Sequence, residues 1–204
     1  MLKALKRFFP EKTGGSGVPY PGIDELTGLA SVRAENFFSA HRLSCSEAAL
    51  LVINHGLGGG LSIEQALSLG SGFGGGIGDS GSTCGALSGG VMALGLFLGP
   101  GRNGRLEKKE FRKLVGSYHD RFRNEFGSSC CRDLIADFRK DRRGQANFCK
   151  GLTGRCTGEA VRLILEHRPE LALSADRDFL RDHESGVTVA LKKMMPGWLG
   201  KGLD

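Results

Sequence analysis

The chain has 204 residues, a formal net charge of +6, and is 40% hydrophobic and 25% charged. That is the stock of one globular domain, with or without an appendage, and not of a wholly disordered chain. Its 33 glycines exceed twice the usual share of about 7% but are clustered rather than placed at every third position, which excludes collagen. The 27 leucines against 14 valines and isoleucines together lean toward helices and away from an all-β fold.

Residues 1–22 read as a basic N-terminal tail or linker, MLKALKRFFPEK followed by the Gly/Pro-rich TGGSGVPYPG. No apolar run of 7–15 residues follows the basic start, so it does not read as a secretory signal. Leu2, Leu5, Phe8 and Phe9 could set an apolar face against the lysines, giving residues 1–12 a peripheral membrane contact; a frayed or docked terminus is the plainer reading. Residues 24–41 have a helical pattern. Ser44 followed by Glu47 is a capping box that opens a helix over 45–56. Ser62 and Gln65 repeat that grammar for a short helix to about residue 69.

Residues 70–90, GSGFGGGIGDSGSTCGALSGG, form a loop whose glycines cost backbone entropy and therefore imply positive φ angles or close approach of the backbone to something else. The segment 76–81 matches GxGxxG, but a helix rather than a strand precedes it, so a dinucleotide site is not expected. An apolar helix follows over 84–98. It is too short to span a bilayer, which takes roughly 18 apolar residues. Its small residues are compatible with a homodimer. Residues 106–126 are amphipathic, and CCRDLIADF begins a further helix after Ser128 and Ser129. Residues 139–147 read as a polar, charged loop. A last long helix over 149–167 contains Gly151, Gly154 and Gly158. A short helix near 176–183 and an extended GVTVAL complete the chain. The division is a tail (1–22), a helical cysteine-rich domain (23–168) and a C-terminal extension (169–204). The fold class is all-α: a compact multi-helix domain with a glycine-rich loop and a flexible basic N-terminal segment.

The six cysteines are Cys45, Cys84, Cys130, Cys131, Cys149 and Cys156. Without a signal peptide the expected location is the cytoplasm, where a disulfide framework is not expected. There is no CxxC and no CxxCH, which excludes the paired-knuckle and c-type haem spacings. Four cysteine positions fall at expected helix starts, Cys45, Cys84, the Cys130–Cys131 pair and Cys149. Free amides there favour an anion and lower a thiol's pKa. Such a set suits thiolate chemistry or an iron–sulfur cluster held by four cysteines. Adjacent Cys130 and Cys131 point about 100° apart on a helix, so one of them is spare. Cys156, mid-stripe, reads as a core cysteine. The five histidines lie mostly at helix ends or on polar faces. The positive residues lack the dense stripe and aromatic platforms of a nucleic-acid binder, so no nucleic-acid partner is expected.

The stretch GFGGGIGDSGSTCGALSGGVMALGL, with SCSEAALLV before it and CCRDL and FCKGLT after it, resembles the C-GCAxxG-C-C family of putative redox-active proteins over about residues 30–167. The core of split-Soret cytochromes is related but adds haem segments that this chain lacks. The resemblance implies a small helical redox domain whose four characteristic cysteines are Cys45, Cys84, Cys131 and Cys149, with Cys156 the competitor for the last place. It departs from the usual pattern at Asp79, where a basic residue is common. The resulting expectation is electron transfer with a redox partner protein through an iron–sulfur cluster on these four cysteines. Gly74, Gly75, Gly76, Ser82, Thr83 and Gly85 would surround the cluster, with hydrogen bonds and close backbone approach tuning it. The alternatives are a cofactor-free thiol/disulfide redox protein, with Cys84 as the attacking thiolate, a structural zinc site, and a non-redox helical binding module. Whether the chain is itself an oxidoreductase stays open.

Overall fold

A computed structural model describes residues 22–101 and 106–184. The helices are α1 (Ile23–Ala40), α2 (Cys45–Leu57), α3 (Ile63–Ser71), α4 (Gly85–Leu98), α5 (Lys108–Phe126), α6 (Cys131–Leu134), α7 (Arg142–His167), α8 (Leu171–Ser174) and α9 (Arg177–Arg181), with a 3-10 turn at Ala136–Phe138. No strand occurs among the described residues, so the fold is all-α. None of their helices is long and apolar enough to cross a membrane. The membrane-contact segment 1–12 and the extended GVTVAL lie outside the described residues.

Helix α2 is the centre. Ten of its 13 residues are buried, and a helix buried on nearly all sides must be surrounded. It packs against α1, α3, α4, α7 and α9. Its start is fixed by the capping box that the sequence predicts: Glu47 N donates to Ser44 Oγ and Ser44 N donates to Glu47 Oε2.

Two of the helix pairs approach through glycine. A Cβ on Gly89 of α4 would stand 2.7 Å from the Ser46 carbonyl oxygen and 2.9 Å from Ala49 Cβ of α2. A Cβ on Gly154 of α7 would stand 2.7 Å from Glu35 Cγ and 2.9 Å from the Ser31 oxygen of α1, and one on Gly158 would reach the Thr27 oxygen at 3.2 Å. Each glycine inside a helix costs about 1 kcal/mol against alanine. Here the missing side chains let neighbouring backbones close up and bury both faces.

Two expectations need correcting. The long last helix begins at Arg142 rather than at residue 149, because Asp141 caps it by accepting a hydrogen bond from Gly144 N at 2.8 Å. Most of the expected charged loop is therefore helical. The segment CCRDLIADF is not one helix but the short α6 followed by the 3-10 turn.

Residues 171–184 are docked on the helical core. The buried Arg33 donates to Asp182 Oδ2 at 2.9 Å and to its carbonyl oxygen at 2.7 Å, and lies over the rings of Phe37 and Phe179. Asp176 N donates to the Gly56 oxygen.

Alanine at two glycines of α7 separates propensity from packing. A Cβ at Gly151 meets nothing within 4 Å, whereas one at Gly154 meets α1. Gly151→Ala is expected to raise unfolding stability by about 0.5–1 kcal/mol, and Gly154→Ala to lower it by about 1–3 kcal/mol, as read by urea denaturation.

Candidate functional site: a cysteine pocket

Four segments bring the cysteines together. Cys45 is the first residue of α2 and Cys84 caps the start of α4. A Cβ on Gly85 would lie 2.6 Å from Cys45 Sγ, so only glycine leaves room for that sulfur against the beginning of α4.

The glycine loop delivers Cys131. Residues Gly75, Gly76, Ile77, Gly78 and Asp79 all have left-handed φ, between +58° and +79°. Such a run is unfavourable for residues with a side chain, which is why glycine supplies most of it. Backbone bonds from Gly78, Asp79, Gly81 and Ser82 back to Gly72, Gly74, Gly75 and Gly76 close the loop. Its end then clips to the segment before α6. Cys84 N donates to the Ser129 oxygen at 2.9 Å, Cys131 N to the Ser82 oxygen at 2.6 Å and Arg132 N to the Gly81 oxygen at 3.0 Å, around a bridge between Thr83 and Cys130. A Cβ on Gly76 would stand 2.7 Å from Cys131 Cβ.

Cys45, Cys131 and Cys149 line one pocket of about 440 Å³, with Phe38 and Ile135 as apolar wall and Asp79 and Arg132 among its polar residues. A second hollow of about 460 Å³ shares Phe38, Gln145 and Cys149 with the first and ends at Arg142. Cys84 is buried, 5% exposed, and does not reach the pocket surface; its charge would interact with those of Cys45 and Cys131. Cys130 turns its thiol to the Gly81 oxygen at 3.0 Å. Cys156 is buried in the core, where Tyr118 donates to its carbonyl oxygen at 2.9 Å.

The six loop positions divide in the same way. Gly75 lines the pocket, while Gly76 and Gly85 pack on Cys131 and Cys45. Gly74 packs on Ser44. Ser82 and Thr83 are exposed and act through their backbone, as partners in the clip. Among the described residues, no three His, Cys, Asp or Glu side chains are gathered closely enough to hold one metal ion.

The thiols are not the low-pKa thiolates that helix starts imply. Burial pushes Cys84 up from 9.0 to about 12, with Cys45 and Cys131 adding to the rise. Burial likewise raises Cys149 to about 12, again reinforced by Cys45 and Cys131. Cys45 and Cys131 rise for the same leading reason. Backbone amides do oppose the shift where a helix begins, those of Ser46 and Ala86 at Cys45 and of Leu87 and Ala86 at Cys84. Cys149 has no such opposition because it lies in the third turn of α7 rather than at its start. The sequence reading also passed over Phe38 and Gln145, which share the pocket wall with Cys149. Only their helical register, combined with the true start of α7, could have marked them.

A pKa raised on folding stabilises the native state below the unfolded value and loses that stabilisation as pH climbs through the folded value. The contribution of Cys84 is therefore expected to fade between about pH 9 and pH 12. Denaturant titrations should show the stability gap between the parent chain and Cys84→Ala narrowing over that range. A gap independent of pH would contradict the buried, neutral thiol.

No curated protein matches the chain, and no solved structure matches it either. The family model with the description "Putative redox-active protein (C_GCAxxG_C_C)" matches residues 43–163. That span holds the four pocket segments, the glycine loop and the clip between them, and the chain belongs to this family.

Proposed function

We propose that the chain is an electron-transfer protein in which Cys45, Cys84, Cys131 and Cys149 hold an iron–sulfur cluster. The observation that carries this reading is the meeting of Cys45, Cys131 and Cys149, from three separate elements, on one pocket wall, with Cys45 Sγ against Gly85, the residue after Cys84. Each cysteine of a four-iron cluster bonds its own iron, so such a cluster takes ligands delivered by separate elements of the fold.

When bound, such a cluster supplies one-electron oxidation and reduction. The chain's own groups supply the rest. The four thiols are neutral without a bound cation and must give up their protons to become ligands. Amides at the starts of α2 and α4 then donate to the sulfurs of Cys45 and Cys84, which favours the more negative oxidation state. Phe38 and Ile135 limit water at the pocket wall. The metal-free reading is weakened by the direction of the pKa shift. An attacking thiolate needs a value near ambient pH, and Cys84 lies at about 12.

Anaerobic purification is expected to yield a brown protein with visible absorption and with iron and acid-labile sulfide. Cys149→Ser should lose most of the iron while Cys130→Ser and Cys156→Ser keep it. A folded but colourless, iron-free anaerobic preparation sinks the proposal, and disulfide found by thiol trapping in that sample would favour the dithiol alternative.

A further inference from the structure

The charge around the pocket points to the kind of partner that docks there. Arg142 lines the second hollow, which joins the cysteine pocket at Cys149. Arg139, Lys140 and Arg143 flank it in the chain, and all three are exposed. Arg132 lines the first pocket and donates to the Ser80 oxygen.

Six arginines elsewhere are paired, Arg33 with Asp182, Arg121 with Glu159, Arg155 with Glu125, Arg162 with Asp24, Arg168 with Glu170 and Arg181 with Glu25, while Arg42, Arg112, Arg123 and Arg177 stand as single arginines rather than in a run. Arg139, Lys140, Arg142 and Arg143 have no ion-pair partner among the described residues. The acidic residue among them, Asp141, spends its carboxylate on the Gly144 amide.

The position of two of these charges is unfavourable for the fold itself. Arg142 and Arg143 are the first two residues of the 26-residue α7, and no acidic residue lies in its first turn. Cations at a helix N-terminus face the positive end of the helix dipole and cost stability. Arg142, exposed and unpaired, lines the hollow beside the cysteine pocket, with Arg139, Lys140 and Arg143 next to it in the chain, and such a run suits an external anion.

We propose that this basic run is the docking surface for an acidic electron-carrier protein. The inference rests on the electron-transfer reading and names the partner class of that same site. The apolar pocket wall, with Phe38 and Ile135, gives the contact its dry centre, and the basic run gives it a charged rim. Electron-transfer complexes are small and transient, and steering by opposite charge raises their association rate. In the exchange, the reduced carrier gives up one electron and this chain takes it; no bond forms or breaks.

The test uses the full chain, an acidic plant-type ferredoxin as probe and the basic cytochrome c as control. Ferredoxin should bind at about 10 mM salt and be released by about 500 mM salt, while cytochrome c should not bind. The quadruple variant R139E/K140E/R142E/R143E should bind ferredoxin at least about tenfold more weakly. Its thermal midpoint should stay level or rise, because α7 gains acids at its start. The neutral variant R142Q/R143Q should give an intermediate loss. Undiminished ferredoxin binding by the quadruple variant overturns the proposal. So does failure of the parent chain to bind ferredoxin, equal binding of cytochrome c, or tighter binding of a single-stranded oligonucleotide or an anionic lipid vesicle than of ferredoxin. Binding without electron exchange keeps the docking surface and defeats the electron-transfer reading instead.

Discussion

The architecture depends on how closely α4 can lie against α2. Gly85 and Gly89 sit one turn apart on α4, and at both positions a methyl group would intrude on the first turns of α2, at Cys45 Sγ and at the Ser46 oxygen. With hydrogen in those places, two helix starts lie side by side, with Cys45 Sγ against Gly85. Larger residues would push the helices apart, and the sulfurs would separate with them. The CGAxxG motif is therefore a packing instruction as much as a chemical one. Its cysteine supplies a thiol and its glycines determine where that thiol stands.

Two electrostatic effects compete in the pocket, and their sizes decide the outcome. A helix start favours an anion by about 1 kcal/mol or less at ordinary sites. The rise of Cys84 from 9.0 to about 12 corresponds to about 4 kcal/mol against the charged form. Burial wins, and mutual repulsion among the thiols adds to it. The thiols therefore keep their protons at neutral pH. Each thiol resists ionisation individually, and resists it more as its neighbours ionise.

Much of this was legible in the residues. The Ser44–Glu47 and Ser62–Gln65 boxes marked the starts of α2 and α3, and both are present. The glycine run announced left-handed backbone, and five consecutive residues adopt it. Of the four cysteines named from their motifs, Cys45, Cys131 and Cys149 line the pocket and Cys84 is buried away from its surface. What sequence could not show was set in part by contacts distant in the chain. Helix α7 begins at Arg142 under the Asp141 cap, so Cys149 falls inside a helix rather than at its head, and it runs on through Gly154 and Gly158, which pack against α1. Ser82 and Thr83 looked like side-chain donors, but the clip to residues 129–132 uses their backbone. Pairing of that kind leaves no trace in side-chain identity.

The walls of the pocket differ in mechanical character. Cys149 rides on a rod of 26 residues braced along α1, and Cys45 begins the most enclosed helix of the fold. Cys131 is carried by a single four-residue turn, held in place by a few amide contacts with the glycine loop. Of the pocket cysteines, Cys131 therefore has the least helical support of its own. Its place depends on the clip, which ties the geometry of that pocket wall to the glycine loop.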